Sequence, residues 1–314
     1  MATPILEPDD AGLEQAANAL RNGELVAFPT ETVYGLGADA ADDKAVAEIF
    51  QIKGRPSFNP LIVHVRDAAH AQEFCVWNET AEALAHAFWP GALTFILPRG
   101  KDARLSRLVS AGLDTVALRA PDQAIAQALL TRSGIAIAAP SANPSGAVSP
   151  TTAAHVAASF PDGIACIIDG GACRIGLEST VIDLTGPVPL LLRPGGVANE
   201  EIETQLGALL QAPGGGAIKS PGMLSRHYAT NARLRLNAAA AEADEVLLAF
   251  GASAPDNALN LSAAGDLIEA AANLFAHLRR LDAPGVTAIA VMPIPETGLG
   301  RAINDRLRRA ANRQ

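Results

Sequence analysis

Along the chain of 314 residues, apolar positions alternate between a helical period and a strand period of two. After Asp9 and Asp10, a stripe of Leu13, Ala16, Ala17 and Leu20 predicts a helix ended by Gly23. A short apolar strand over 24–28 follows and runs into Pro29-Thr30-Glu31-Thr32-Val33-Tyr34-Gly35-Leu36-Gly37, read as a loop. Asp42 or Asp43 then caps a helix striped by Val46, Ile49 and Phe50, which stops at Lys53-Gly54-Arg55-Pro56. In the strand 61–65 the period of two sets Ile62 and His64 on one face. Helices near 68–74 and 81–88 and a strand over 92–97 come next, and a strand from Asp114 to Ala120 carries Thr115, Ala117 and Arg119 on one face. A helix over 123–131, a strand from Ile135 ending in Pro140-Ser141-Ala142-Asn143, and a short helix capped by the Ser149-Pro150-Thr151 stretch continue the alternation. Strands over 165–169, 180–184 and 190–192, the last ending in Arg193-Pro194-Gly195, lead to a helix over 200–210. Alternating strands and helices of this kind predict an α/β fold.

Ala212-Pro213-Gly214-Gly215-Gly216 is the clearest linker signal and divides the chain into 1–211, a connecting stretch 212–230, and 231–314. The last part reads as a small Rossmann-like α/β domain, with strands over 245–250 and 286–291 and helices over 266–281 and from Gly300 onward. Arg301, Arg306, Arg308, Arg309 and Arg313 crowd that final helix and are expected to form a solvated face.

Composition narrows the function. Hydrophobic residues at 49% and charged residues at 18% suit a soluble globular protein with an ample core. A net charge of −9 argues against binding dominated by a nucleic-acid backbone, so direct contact with a nucleic acid is expected to be absent or weak. Cys75, Cys166 and Cys173 make no C-x-x-C pair, which argues against a disulfide framework and a structural zinc site. Neither a signal peptide nor an apolar run of ~20 residues is visible, and a cytoplasmic location is the expectation. Gly35-x-Gly37-x-x-Ala40 fails as a dinucleotide fingerprint because six residues separate the strand from its first glycine. No G-x-x-x-x-G-K-[ST] is present, so the chain is not a P-loop enzyme.

The candidate chemistry lies in the polar stretches between these elements. The 29–37 loop, with its hydroxyls, carboxylate, phenol and glycines, suits close backbone approach to a polar ligand. Lys53 and Arg55 either complement a helix C-terminus or clamp an anion, and Asn59 and His64 nearby favour a phosphorylated ligand. His64 itself reads equally as a satisfied core histidine. For Arg119 the alternatives are an ion pair with a local Asp and a forked grip on a substrate carboxylate. Ser141-Ala142-Asn143-Pro144-Ser145-Gly146 is either turn chemistry or a phosphate loop at a strand's end.

PTETVYGLG, Lys53-x-Arg55 with Asn59-Pro60-Leu61, and Ser141-Ala142-Asn143 together resemble the threonylcarbamoyl-AMP synthase family, over a span from about Ala16 to the C-terminus. The resemblance implies a twisted YrdC-like α/β domain with a concave active site. It further implies synthesis of L-threonylcarbamoyladenylate from L-threonine, bicarbonate or CO2 and ATP, with release of pyrophosphate. The product would pass to a threonylcarbamoyl transferase acting on the tRNA adenosine next to the anticodon. Carried over by position, Thr32, His64, Arg119, Ala139 and Ser179 would surround threonine. Arg55, Asn59, Thr115, Ser141, Ser149 and Arg193 would hold ATP, with Lys53 and Asn143 bordering the phosphates and Mg2+ travelling with them. Lys53 and Arg55 would be the catalytic clamps. The stretch ending in Arg226-His227-Tyr228 would fold back over the site as a lid, with Tyr228 touching the nucleotide; Thr230 stands where the family pattern has proline. Two other readings compete: an RNA-binding maturation module without chemistry, and a carbamoyl transferase for metallocentre assembly, whose cysteine-rich zinc motifs three scattered cysteines cannot supply.

Overall fold

The computed structural model describes residues 2–212, 227–256 and 258–312. The glycine run of the predicted linker and Arg226 lie outside those residues, and so does most of the predicted lid. The chain begins β1 (Ile5–Leu6), α1 (Asp10–Arg21), β2 (Val26–Phe28), β3 (Gly35–Asp39), α2 (Asp43–Lys53), β4 (Ile62–His64), α3 (Ala68–Gln72) and α4 (Glu79–Phe88). Next come β5 (Leu93–Pro98), β6 (Thr115–Arg119), α5 (Ala124–Ser133), β7 (Ile137–Ala138), α6 (Ala153–Ser159), β8 (Cys166–Ile168), β9 (Thr180–Asp183), β10 (Leu190–Arg193) and α7 (Asn199–Leu206). The second part holds β11 (Arg233–Arg235), β12 (Glu245–Ala249), β13 (Leu259–Asn260), α8 (Leu267–Leu281), β14 (Ala288–Val291) and α9 (Leu299–Ala311).

Local chemistry sets the ends of the elements that frame the site. The Asp42 carboxylate accepts from the Lys44 and Ala45 amides at the start of α2, and Gly54 closes it at φ 60°. Thr152, rather than the Ser149-Pro150-Thr151 stretch, caps α6 by accepting from the His155 amide. The larger departure is β3, since part of the 29–37 stretch read as a loop is a strand antiparallel to β2, with Phe28 opposite Gly35. Its glycines serve strand packing. A Cβ on Gly37 would stand 2.8 Å from both Phe28 and Ile137, and one on Gly35 would stand 3.2 Å from Ala139.

The first part of the chain builds one sheet in the order β1-β8-β2-β3-β7-β4-β6-β5-β9-β10. One face packs the main core, where Val46 and Ile49 of α2, Leu84 of α4, Val156 of α6 and Ile202 of α7 meet Leu36, Val63, Phe95 and Leu118. On the other face, α1 and α5 cover only the β1-to-β7 end, through Leu13, Leu20, Leu129 and Leu130 against Val26, Phe28 and Ile137. The rest of that face carries Ile62, Ile96, Ala117, Val181 and Leu192. The register pairs Ile62 with Ala117 and His64 with Arg119, so the predicted polar side chains stand on this helix-free side.

β11-β14-β12-β13 form a second, all-parallel sheet packed by α8 and α9. Its core is not private, because Val33, Val148 and Leu177 from the first part join Leu274, Phe275 and Ile303. Among the described residues no helix is long and apolar enough to cross a membrane.

Candidate active site

A polar cavity opens on the helix-free face of the large sheet. It brings together Thr32, Arg55, His64, Arg119, Ala139, Ser141, Ser179, Arg193 and Tyr228 from the predicted set. Distant segments meet there because β4, β6 and β7 are neighbours, while Ser179 directly precedes β9 and Arg193 ends β10 beside it.

One end is built around Arg119. Its Nη1 donates to the Thr32 hydroxyl at 2.9 Å and its Nε donates to the Gly91 carbonyl at 3.1 Å. Its Nη2 lies 2.6 Å from Glu31 Oε1, near enough for the charges to pair although the angle is too poor for a hydrogen bond. The buried arginine's partner is therefore Glu31, and the expected local Asp is not used. The Thr30 hydroxyl sits 2.7 Å from that of Thr32 and donates to the Val33 carbonyl at 2.6 Å, which locks the turn. Tyr34 leaves this loop altogether: its hydroxyl donates to the Gly171 carbonyl at 2.8 Å and accepts from the Gly170 amide. The phenol is a strut and not a ligand group. His64 is buried with its ring edge-on to Phe28 and its Nδ1 without a partner. Burial, reinforced by Arg119, pushes its pKa down to about 3, so the imidazole is neutral in the physiological range.

The other end is cationic. Arg55 donates from Nε to the Asn59 carbonyl at 3.0 Å and from Nη2 to the Pro60 carbonyl at 2.7 Å, which fixes the 55–60 loop. Burial, and then the charge of Arg193, lowers its pKa to about 9. Arg193 wraps Ser179, donating from Nε and Nη2 to its carbonyl at 3.1 and 2.9 Å. The Ser179 hydroxyl also meets the Thr94 hydroxyl at 2.7 Å.

Five predicted residues stand behind or beside the wall. Lys53 is buried and donates to the carbonyls of Ser141 (2.5 Å) and Asn143, so it braces the Ser-Ala-Asn loop instead of the end of its own helix. Burial, followed by repulsion from Arg55, lowers its pKa well below the usual lysine range. Asn143 donates to the Pro144 and Ala147 carbonyls, while its Oδ1 and that of Asn59 are buried without partners. Such orphaned acceptors ask for a partner from a ligand or solvent. Ser149 is wholly buried and donates to Glu178 at 2.6 Å. Thr115 shares the face of Ala117 and Arg119 at the far end of β6, outside the cavity lining.

Glu178, His227 and Arg306 complete the site. Glu178 lines the cavity, and its Oε2 accepts from Arg306 Nε at 3.0 Å. Burial alone would push its carboxyl up, but Arg306 and Arg193 outweigh that and hold it down at about 2. Arg306 contradicts the expected solvated face of the last helix, since it is completely buried, with its guanidinium 5.6 Å from the Tyr228 ring centroid. Its spacing carried the signal: 303, 306, 307 and 310 form the buried stripe of α9. The other arginines of α9 do pair with acids, Arg301 with Glu200, Arg308 with Glu296 and Arg309 with Asp305. Tyr228 is buried at φ 61° and stacked on Phe275, with burial raising its pKa to about 12. Its neighbour His227 also lines the cavity, and burial together with nearby Arg55 and Lys53 lowers its pKa to about 3. Among the described residues no group of three or more His, Cys, Asp or Glu could hold a metal ion.

Two families match the chain: one described as "Telomere recombination" over residues 18–195, and "Threonylcarbamoyl-AMP synthase, C-terminal domain" over 197–312. A threonylcarbamoyl-AMP synthase of Pyrococcus abyssi is 46% identical across 94% of this chain and 93% of its own. One from Bacillus subtilis is 43% identical across 98% and 95%. Among solved structures, that of P. abyssi Sua5 complexed with L-threonine superposes with a TM-score of 0.88 at 41% identity, covering 98% of both chains.

Proposed function

Since the chain belongs to the threonylcarbamoyl-AMP synthase family, we propose that its cavity joins L-threonine, bicarbonate or CO2 and ATP into L-threonylcarbamoyladenylate and pyrophosphate. The observation that carries this reading is the polarity of one cavity, with an Arg119–Thr32 grip at one end and Arg55 with Arg193 at the other. The first end suits the carboxylate and hydroxyl of an amino acid, and the second suits phosphates. The non-catalytic RNA-binding alternative has no counterpart among the relatives' names.

The reaction runs in two steps. The threonine amine adds to CO2 and loses a proton, giving a carbamate. A carbamate oxygen then attacks the α-phosphorus of ATP, forming a new P–O bond while the bond to the β-phosphate oxygen breaks and pyrophosphate leaves. Both reactants are anions, so positioning and charge compensation dominate the catalytic task. Arg119 with Thr32 orients the amino acid, with neutral His64 at hand for a hydrogen bond and Ala139 beside the threonine methyl. Arg55 and Arg193 offset phosphate charge. Lys53 acts through the Ser141 and Asn143 carbonyls that it holds. Ile62 and Ala117 continue the wall towards Thr115, an apolar strip that suits a purine base. Mg2+ is expected to arrive on the ATP phosphates, because Glu178, the carboxylate on the wall, is already engaged by Ser149 and Arg306. We further propose that the product is handed to a threonylcarbamoyl transferase for tRNA modification and that the work is cytoplasmic.

The test is pyrophosphate release with each substrate omitted in turn. Release should require ATP, threonine and bicarbonate together. Serine should support it at a kcat/KM lower by about 10–200-fold, the worth of one methyl in a fitted pocket. Release that ignores threonine would end this reading.

A further inference from the structure

Two arginines of the C-terminal helices grip both ends of one buried hydrogen bond behind the cavity wall. Ser149 Oγ donates to Glu178 Oε1 at 2.6 Å, inside the first part of the chain. From α9, Arg306 donates through Nε to Glu178 Oε2 at 3.0 Å and through Nη1 to the Pro194 carbonyl at 2.6 Å. From α8, Arg279 donates to the carbonyls of Val148 at 2.5 Å and Ser149 at 3.3 Å. Pro194 directly follows Arg193, so Arg306 touches the carboxylate and the backbone that flank the same phosphate-side cation. Its guanidinium carbon also lies over the ring of Tyr228, which lines the cavity.

We propose that Arg306 is a positioning residue for ATP, acting through Glu178. A carboxylate on a wall meant for phosphates works against binding in two ways. It repels the anionic ligand, and it competes with the ligand for neighbouring guanidiniums. Arg306 offsets that charge from behind and holds the carboxylate on Ser149 and α9, so that less of it is left to compete for Arg193. The second domain is thereby part of the nucleotide site although none of its helices lines the cavity. The inference rests on the reading of this cavity as an ATP site.

The test is a double-mutant cycle on Arg306→Met and Glu178→Gln, with ATP affinity read directly by calorimetry on the full chain. Synthesis need not occur for the readout, so wild-type protein that binds ATP without making product would sink the proposed reaction and leave this inference standing. Wild-type protein that binds no ATP would sink both. Arg306→Met should weaken ATP binding at least about tenfold because it removes the largest charge offsetting Glu178 and leaves the carboxylate to draw on Arg193. Adding Glu178→Gln should recover most of that loss, a coupling of about tenfold between residues in contact. A packing role for α9 predicts no such rescue. If Arg306→Met does not fold, Arg306→Lys takes its place in the cycle, retaining charge while losing the fork. Independent, multiplicative effects of the two substitutions in folded protein would overturn the proposal. So would unchanged ATP affinity in either Arg306 variant.

Discussion

Arg55 performs two tasks with one guanidinium, holding the Asn59 and Pro60 carbonyls while its face borders the cavity. Arg55→Ala should therefore cost more than a charge contact. The rate should fall by ~10²–10³, as for other lost transition-state donors, and the 55–60 loop should loosen. Arg55→Lys keeps the charge but loses the planar fork that meets the Asn59 and Pro60 carbonyls from two nitrogens, so pyrophosphate release should stay well below wild type. Wild-type turnover in a folded Arg55→Ala protein would remove it from the mechanism. The buried titratable groups make a second prediction. His64 and His227 take protons only near pH 3 when folded, against about 6.5 in the unfolded chain. Between those values the unfolded state binds more protons, so stability must fall as pH drops from 6.5 to 3. Glu178, held at about 2 against an ordinary 4.5, adds a further loss between those two values, on the order of 3 kcal/mol. Urea unfolding from pH 7 to pH 3 should show the slope from 6.5 downward. Glu178→Gln should flatten only the part below 4.5, and an identical slope in that variant would refute the assignment.

At the scale of elements, the close approach of β9 and β10 shapes the threonine and phosphate ends together. Gly195, just past β10, lies so near the segment entering β9 that a Cβ there would stand 2.3 Å from the Ser179 carbonyl carbon and 2.4 Å from Glu178 O and Thr180 N. All three are backbone atoms and cannot rotate aside. Gly195→Ala should cost about 1–3 kcal/mol in urea unfolding and weaken both ATP and threonine, because Ser179 and Arg193 would shift as one unit. Retention of both affinities would mean that the strands yield without disturbing the site. This dependence was only partly legible in the sequence. Caps and periods gave α2, β4 and β6 almost to the residue, and the period of two correctly set Ile62 with His64 and Ala117 with Arg119. β3 escaped because its glycines and polar flanks look like a loop until Phe28 and Ile137 press against them. Lys53 and Tyr34 were legible as special residues, but their partners lie about a hundred residues away, in the Ser141–Asn143 loop and at Gly170–Gly171, and no local pattern encodes such pairings.

At the scale of the molecule, the two sheets share a core at the segment 175–178. Ile175 donates its amide to the Glu31 carbonyl at 2.8 Å, Leu177 enters the C-terminal core, and Glu178 takes Arg306. Gly176 is the hinge pin of that contact. It holds φ at +72°, and a Cβ there would lie 2.6 Å from Ala271 O, Ala272 Cα and Ala272 O, the backbone of α8. Gly176→Ala must therefore push α8 off the first domain, and with it the Arg279 hold on Val148 and Ser149. Backbone strain alone is a competing cause of any defect, and Gly207 separates the two. It sits at φ +64° with nothing within 4 Å of its would-be Cβ, so Gly207→Ala bears the strain without the collision. We expect Gly207→Ala to lose a little stability and keep ATP affinity. Gly176→Ala should lose affinity, by the same route as Arg306→Met. Combining Gly176→Ala with Arg306→Met should then weaken ATP binding no further than the worse of the two, since both break one connection. Calorimetry on the four proteins reads this directly, and additive losses, or equal behaviour of the two glycine variants, would show that the domains do not communicate with the nucleotide through this contact.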